Sequence, residues 1–213
     1  RDSHSHPTLS LTASGVLAES SNTGTVQIGQ KVSDQQRYQM MQSLGLGQKT
    51  GIEMPGESAG IIGSPKSWDG RQRFTTMFGQ GMACTPLQIS SLISTIGNQG
   101  VQVMPRLVEG YADSQGIIQK AKAPATTQKL DQNVAATLVR MMESVTTDEG
   151  TAKKAQIPGY RSAGKTGTSE IISSSGASAG VVASFIGLAP AENPEIAVSV
   201  VIYKPKSGIY GGV

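Results

Sequence analysis

The sequence is poor in the residues that staple small proteins or hold metals. A single cysteine, Cys84, in 213 residues excludes an internal disulfide framework and a Cys-rich zinc site. Two histidines, His4 and His6, leave little for imidazole chemistry. Their H-x-H spacing has no third ligand in view, so they read as surface or loop residues. Aromatics are 4%, so aliphatic side chains must build the core. Neither sign of charge dominates: 18 Lys+Arg against 15 Asp+Glu leave +3. The longest basic run is Lys153-Lys154, which excludes a nucleic-acid footprint. Long apolar runs are also missing. Ile171 to Ala191 is 21 residues without a charge, but it holds five serines, three glycines and Pro190 and would insert poorly in a bilayer. The chain opens at Arg1-Asp2-Ser3 without a signal pattern and is expected to be a piece of something larger.

Glycine is abundant instead: 26 residues, about 12% against a usual 7% or so. The length suits one domain. Thr12–Glu19 reads as a short helix running into Ser20-Ser21-Asn22. Ser33–Leu44 reads as a second, opened by the capping box Ser33-x-x-Gln36 and stopped by Gly45. Residues 45–81 are irregular and end in Phe78-Gly79-Gln80-Gly81. Thr85-Pro86-Leu87-Gln88 combines a cap, a proline at the first helical position and a glutamine at the third. Ile89, Leu92, Ile93 and Ile96 follow at helical spacing. Short strands and loop fill 101–125. Asp131–Val145 is a helix with Val134, Leu138, Met141, Met142 and Val145 on one face. Arg161–Glu170 is a strand, Ser173–Gly180 a loop. Val181–Ala189 and Glu195–Tyr203 are strands joined by five residues, as in an antiparallel hairpin. The last strand is apolar on both faces, which calls for layers on both sides. The expected fold is therefore α/β (α+β), an antiparallel sheet with helices on both faces.

Three motifs compete for the chemistry. Gly159-Tyr-Arg-Ser-Ala-Gly164-Lys165-Thr166 fits the phosphate-loop pattern G-x-x-x-x-G-K-[ST]. That loop needs a buried strand before it and a helix after it. Here Lys153-Lys154 stand before and a Ser/Gly loop follows, so a nucleotide-hydrolysing enzyme is the remote alternative. Gly176-Ala177-Ser178-Ala179-Gly180 fits G-x-S-x-G, but no histidine lies downstream. The third is a pair, Ser20-Ser21-Asn22 and Lys165-Thr166-Gly167-Thr168. Serine acyltransferases that recognise D-Ala-D-Ala or penicillin use S-x-x-K, S-x-N and K-T-G elements in that order.

With these motifs the sequence resembles the class B penicillin-binding proteins, peptidoglycan D,D-transpeptidases of the cell-division or elongation type. Ala18–Gly24 is similar to the family's second motif with its flanks, and Thr50–Gly60 to its P-G-E segment. Phe78-Gly79-Gln80-Gly81 with Thr85-Pro86-Leu87-Gln88 resembles its F-G-x-G…T-x-L-Q helix entry. Ala163–Thr168 resembles its third motif and Tyr210-Gly211-Gly212 the run that opens its last helix. The matches keep the family order over nearly all of the chain. The one S-x-x-K match, Ser162-Ala163-Gly164-Lys165, overlaps the third motif on a presumed strand. The nucleophile is therefore expected upstream of Arg1, and residues 1–213 as one incomplete transpeptidase domain that is inactive alone. The membrane anchor and last helix are expected outside this sequence.

The resemblance implies the penicillin-binding, serine β-lactamase-like fold and acyl transfer through a serine, with no metal or organic cofactor. Lys165 would supply positive charge to the substrate carboxylate, and the hydroxyls of Thr166 and Thr168 would bond it. Gly167 would leave room for the peptide beside the strand. The Thr168 N–H would be half of the oxyanion hole. Ser20 would relay a proton and Asn22 would hold the substrate amide. Tyr210 would line the cleft. The implied partners are stem peptides ending in D-Ala-D-Ala, β-lactams and the cell-wall synthesis machinery, at the extracytoplasmic face of the bacterial cytoplasmic membrane. A β-lactamase or β-lactam sensor on the same fold, or a non-catalytic binding or scaffold domain, are the alternatives. Cys84 reads as a small buried hydrophobe.

Overall fold

Local signals set most of the helices. The computed structural model describes Asp2 and residues 6–173, 175–208 and 211–212. Helix α1 (Ala13–Ala18) starts where Thr12 Oγ1 accepts the Gly15 N–H. Helix α3 (Asp34–Ser43) has the expected reciprocal capping box of Ser33 and Gln36. Between them lies α2 (Asn22–Gly29), which the sequence reading left unassigned. Its two glycines and β-branched Thr23, Thr25 and Val26 are weak helix formers. Its start depends on the Ser21 cap, and it packs against α1 and the turn at Thr76–Phe78.

Residues 45–81 are largely irregular, with 3₁₀ turns at Pro65–Ser67 and Thr76–Phe78 and the short α4 (Gln72–Thr75). Helix α5 (Pro86–Gly97) has the second capping box, Thr85 with Gln88. Gln88 does more than cap. It is 1% exposed, its Oε1 accepts the Thr85 N–H, and its Nε2 donates to the carbonyls of Gln48 and Ala59. One buried carboxamide thus ties the irregular segment to the helix start. Gln88→Leu leaves two carbonyls and one N–H without partners and is expected to destabilise the fold by about 3 kcal/mol, measured by urea unfolding.

Two small antiparallel pairs follow: β1 (Val101–Val103) with β4 (Thr126–Gln128), and β2 (Gly110–Ala112) with β3 (Ile118–Lys120). Helix α6 (Gln132–Glu143) is capped by Asp131 Oδ1, which accepts from Asn133 and Val134 N–H. Its buried face differs in part from the expected one. Val134 is 50% exposed, whereas Ala135, Val139 and Met142 are buried. The small Ala135 admits the close approach that packing among α1, α5 and β5 requires, and Val134 in the first turn is rotated outward.

The main sheet is antiparallel in the order β5 (Ala163–Ile172), β6 (Ser178–Ala189), β7 (Ile196–Tyr203). Ala163 pairs with Leu188 and Leu188 with Ala197. With Ile93, Val139, Met142 and Ala191 they form the core under α5 and α6. Both helices lie on this face. On the other face Ile196, Val198, Val200 and Ile202 are 44–61% exposed, so no second layer covers them among the described residues. The expected α+β class with an antiparallel sheet is the observed one. Cys84 is half-buried rather than core, and burial pushes its thiol pKa up.

Candidate active site

Strand β5 is an edge strand, with no strand on its outer side among the described residues. Lys165 lies on the same face as Ala163, two residues along, where the α5–α6 layer gives way to the α1–α2 junction. Its Nζ donates to Ser20 Oγ at 2.7 Å and to the Thr166 carbonyl at 2.9 Å, with Thr166 Oγ1 at 3.4 Å. All these acceptors are uncharged. No carboxylate lies within ion-pair distance among the described residues. Burial therefore pushes the Lys165 ammonium down to about pKa 8. A half-buried cation with no counter-ion is a place for an anion.

The junction that presents Ser20 is built from two helix ends. The Ser20 N–H bonds the Leu17 carbonyl and the Ser21 N–H bonds the Val16 carbonyl. These two bonds are a Schellman closure of α1, with Ser20 at the position that favours the left-handed region and is usually glycine. Ser20 has φ 55°. The next residue, Ser21, caps α2 by accepting the Gly24 N–H. Ser20 is thus held between the last bonds of one helix and the first of the next. A non-glycine residue kept in this conformation costs about 1–2 kcal/mol. Asn22 opens α2, and its amide makes no hydrogen bond to a described residue.

Thr166 and Thr168 share the face opposite Lys165. Thr166 Oγ1 lies 3.0 Å from Thr151 Oγ1. Thr168 is exposed, and its Oγ1 accepts the Gly211 N–H at 3.3 Å, leaving the hydroxyl proton free to donate outward. A Cβ on Gly167 would collide with Ser184 Oγ. Its missing side chain therefore makes room for the neighbouring strand. Tyr210 and His4 lie outside the described residues. His6 is bonded to Asp2 and the Pro7 carbonyl, and no metal-binding cluster occurs among the described residues.

The geometry also sorts the competing motifs. Gly159 lies in a turn and Lys165-Thr166 lie inside a strand, so no helix N-terminus follows for a phosphate. Ser178 opens β6 after a hairpin turn rather than sitting between strand and helix. Ser162 Oγ donates to the Ala155 carbonyl, and its own carbonyl accepts from Thr146. Ser162 therefore does not pair with Lys165, although the S-x-x-K spacing fits. Sequence reasoning did not pick out Asp2 or Thr151. No local pattern marks them, because the site residues they touch lie 19 and 21 positions from Asp2 and 15 from Thr151.

Residues 2–212 match the family model described as the penicillin binding protein transpeptidase domain. The chain is 32% identical over 220 residues to the penicillin-binding protein PbpB of Mycolicibacterium smegmatis, covering 99% of this chain and 34% of that protein. It is 33% identical over 204 residues to the peptidoglycan D,D-transpeptidase FtsI of Escherichia coli, covering 95% of this chain and 33% of that protein. The chain thus spans about a third of the length of these curated relatives. Penicillin binding protein 3 of Mycobacterium tuberculosis in its apo form superposes with TM-score 0.91 at 32% identity, over 97% of this chain and 48% of that one. The same protein complexed with aztreonam gives 0.90.

Proposed function

The chain belongs to the penicillin-binding protein transpeptidase family, and from that premise we propose that it supplies the substrate-holding part of a peptidoglycan D,D-transpeptidase site. The observation that carries the reading is the Lys165–Ser20 contact, 2.7 Å across 145 residues of sequence, between a lysine with no counter-ion among the described residues and a hydroxyl in a strained backbone.

The reaction is acyl transfer in two steps. A serine attacks the D-Ala-D-Ala carbonyl, D-Ala leaves, and an amine of a neighbouring stem peptide attacks the acyl-enzyme carbonyl and restores the serine. Lys165 and the Thr166 and Thr168 hydroxyls receive the terminal carboxylate. The open edge of β5 takes the peptide as an added strand, with Gly167 on the line of contact. The Thr168 N–H stabilises the oxyanion, Ser20 passes a proton to the leaving amine, and the Asn22 amide holds the substrate amide. Tyr210 belongs to the cleft in this reading.

The nucleophile comes from an S-x-x-K element outside residues 1–213, so this single piece of the domain is inactive alone. Support comes from Ser162, whose hydroxyl is committed to Ala155. The full-length protein would act at the extracytoplasmic face of the membrane, with the cell-wall synthesis machinery. In the full-length protein a fluorescent penicillin is expected to label a serine outside residues 1–213, located by mass spectrometry. A label on Ser162, or none on the folded protein, overturns the assignment.

A further inference from the structure

Asp2 places a carboxylate against the Ser20–Asn22 junction, and no step of the proposed mechanism uses it. Its side chain is only 5% exposed. Four donors converge on it. Oδ1 accepts the Thr23 N–H at 2.8 Å. Oδ2 accepts from Ser21 Oγ at 2.9 Å, His6 Nε2 at 2.9 Å and Thr23 Oγ1 at 3.0 Å. Burial alone would favour the neutral acid. The Thr23 N–H, the His6 ring and the two hydroxyls outweigh it and hold the carboxyl well below the usual range.

These bonds bear on the geometry of Ser20. The first turn of a helix leaves N–H groups without partners. Asp2 takes the one on Thr23. It also accepts the Ser21 hydroxyl proton, which turns a Ser21 lone pair toward the Gly24 N–H. The α2 cap therefore depends on a residue 19 positions before Ser21. If the cap loosens, the left-handed Ser20 is clamped only from the α1 side and relaxes to an ordinary conformation. Its hydroxyl then swings off Lys165.

We infer that Asp2 is a positioning residue: its buried carboxylate pins the start of α2 and so holds Ser20 Oγ against Lys165 Nζ. This rests on the reading of Ser20 and Lys165 as working parts of the site.

The test is acylation of the full-length protein by a penicillin, resolved into a binding constant and an acylation rate. Asp2→Asn keeps the size and one acceptor but turns an amide N–H₂ or a weaker acceptor toward the donors. It is expected to slow acylation about 10²-fold, as a displacement near 1 Å does, with penicillin binding little changed. If Asp2 acts through Ser20, Asp2→Asn has no further effect on a Ser20→Gly background. Unchanged acylation in Asp2→Asn alongside a slowed Ser20→Gly overturns the inference and leaves the site reading standing. Losses that multiply in the double variant overturn it as well. Unchanged acylation in both Ser20→Gly and Lys165→Ala overturns the site reading itself. Should Asp2→Asn not fold, Thr23→Val removes one donor to the same carboxylate. A smaller loss, again absent on the Ser20→Gly background, supports the inference, and no loss overturns it.

Discussion

Lys165→Ala in the full-length protein is expected to lower the second-order rate of penicillin acylation about 10³-fold, the upper range for removing one fixed electrostatic group. The folded protein should persist, because the lysine makes no ion pair among the described residues and deleting a partly buried charge relieves a desolvation penalty. The pH dependence gives a sharper signature. The Lys165 ammonium loses its proton near pH 8, so carboxylate capture should fall as pH rises through about 8. Stability should move the other way. In the unfolded chain the lysine keeps its proton up to its ordinary value of 10.5, while the folded chain releases it near 8. Between those values the unfolded state binds more protons, and stability rises with pH. Activity that falls over a window in which this lysine adds stability cannot be blamed on unfolding. Lys165→Arg keeps its charge throughout, so its weaker acylation should stay flat across pH 8. Acylation rates and thermal unfolding at stepped pH read both trends. A wild-type rate that does not fall above pH 8 would remove Lys165 as the anion site.

Replacing Ser20 separates chemistry from folding. Ser20→Ala and Ser20→Gly both remove the hydroxyl and should slow acylation by about 10²-fold or more, the usual value of a positioned proton relay. Their stabilities should differ. Ser20 sits at φ 55°, where alanine bears the full left-handed penalty and glycine bears none. Ser20→Gly should therefore be more stable than Ser20→Ala by about 1 kcal/mol, read from urea midpoints. Equal stabilities would mean that the α1–α2 junction relaxes freely, and the strain assigned to it would be absent. A serine kept where glycine fits better is the sign of a residue retained for what its hydroxyl does.

Much of the fold was legible because its signals are local. Both capping boxes, Pro86 and the hairpin of β6 and β7 lie within a few residues of what they organise. What failed was non-local. Helix α2 has poor intrinsic propensity and owes its start to Ser21 and to Asp2, 21 residues before Thr23. The face of α6 was misplaced at Val134 because two neighbouring stripes both fit helical spacing, and only the tight packing on α5 and β5 selects the one with Ala135.

The sequence by itself determined the family, through ordered motifs spread over the chain, and the residue types available for the chemistry. Spacing along a chain fixes helix starts, strand alternation and motif order. It carries no information on which distant groups meet. Tertiary structure alone decided that Lys165 reaches Ser20 rather than Ser162, and that its ammonium has no carboxylate beside it among the described residues. It also decided that Thr151 touches Thr166 and that the Asp2 carboxylate holds the turn presenting Ser20. A charge is tuned by burial and by the groups within a few ångströms. Those are properties of the packed chain, and at this site they join residues up to 145 positions apart.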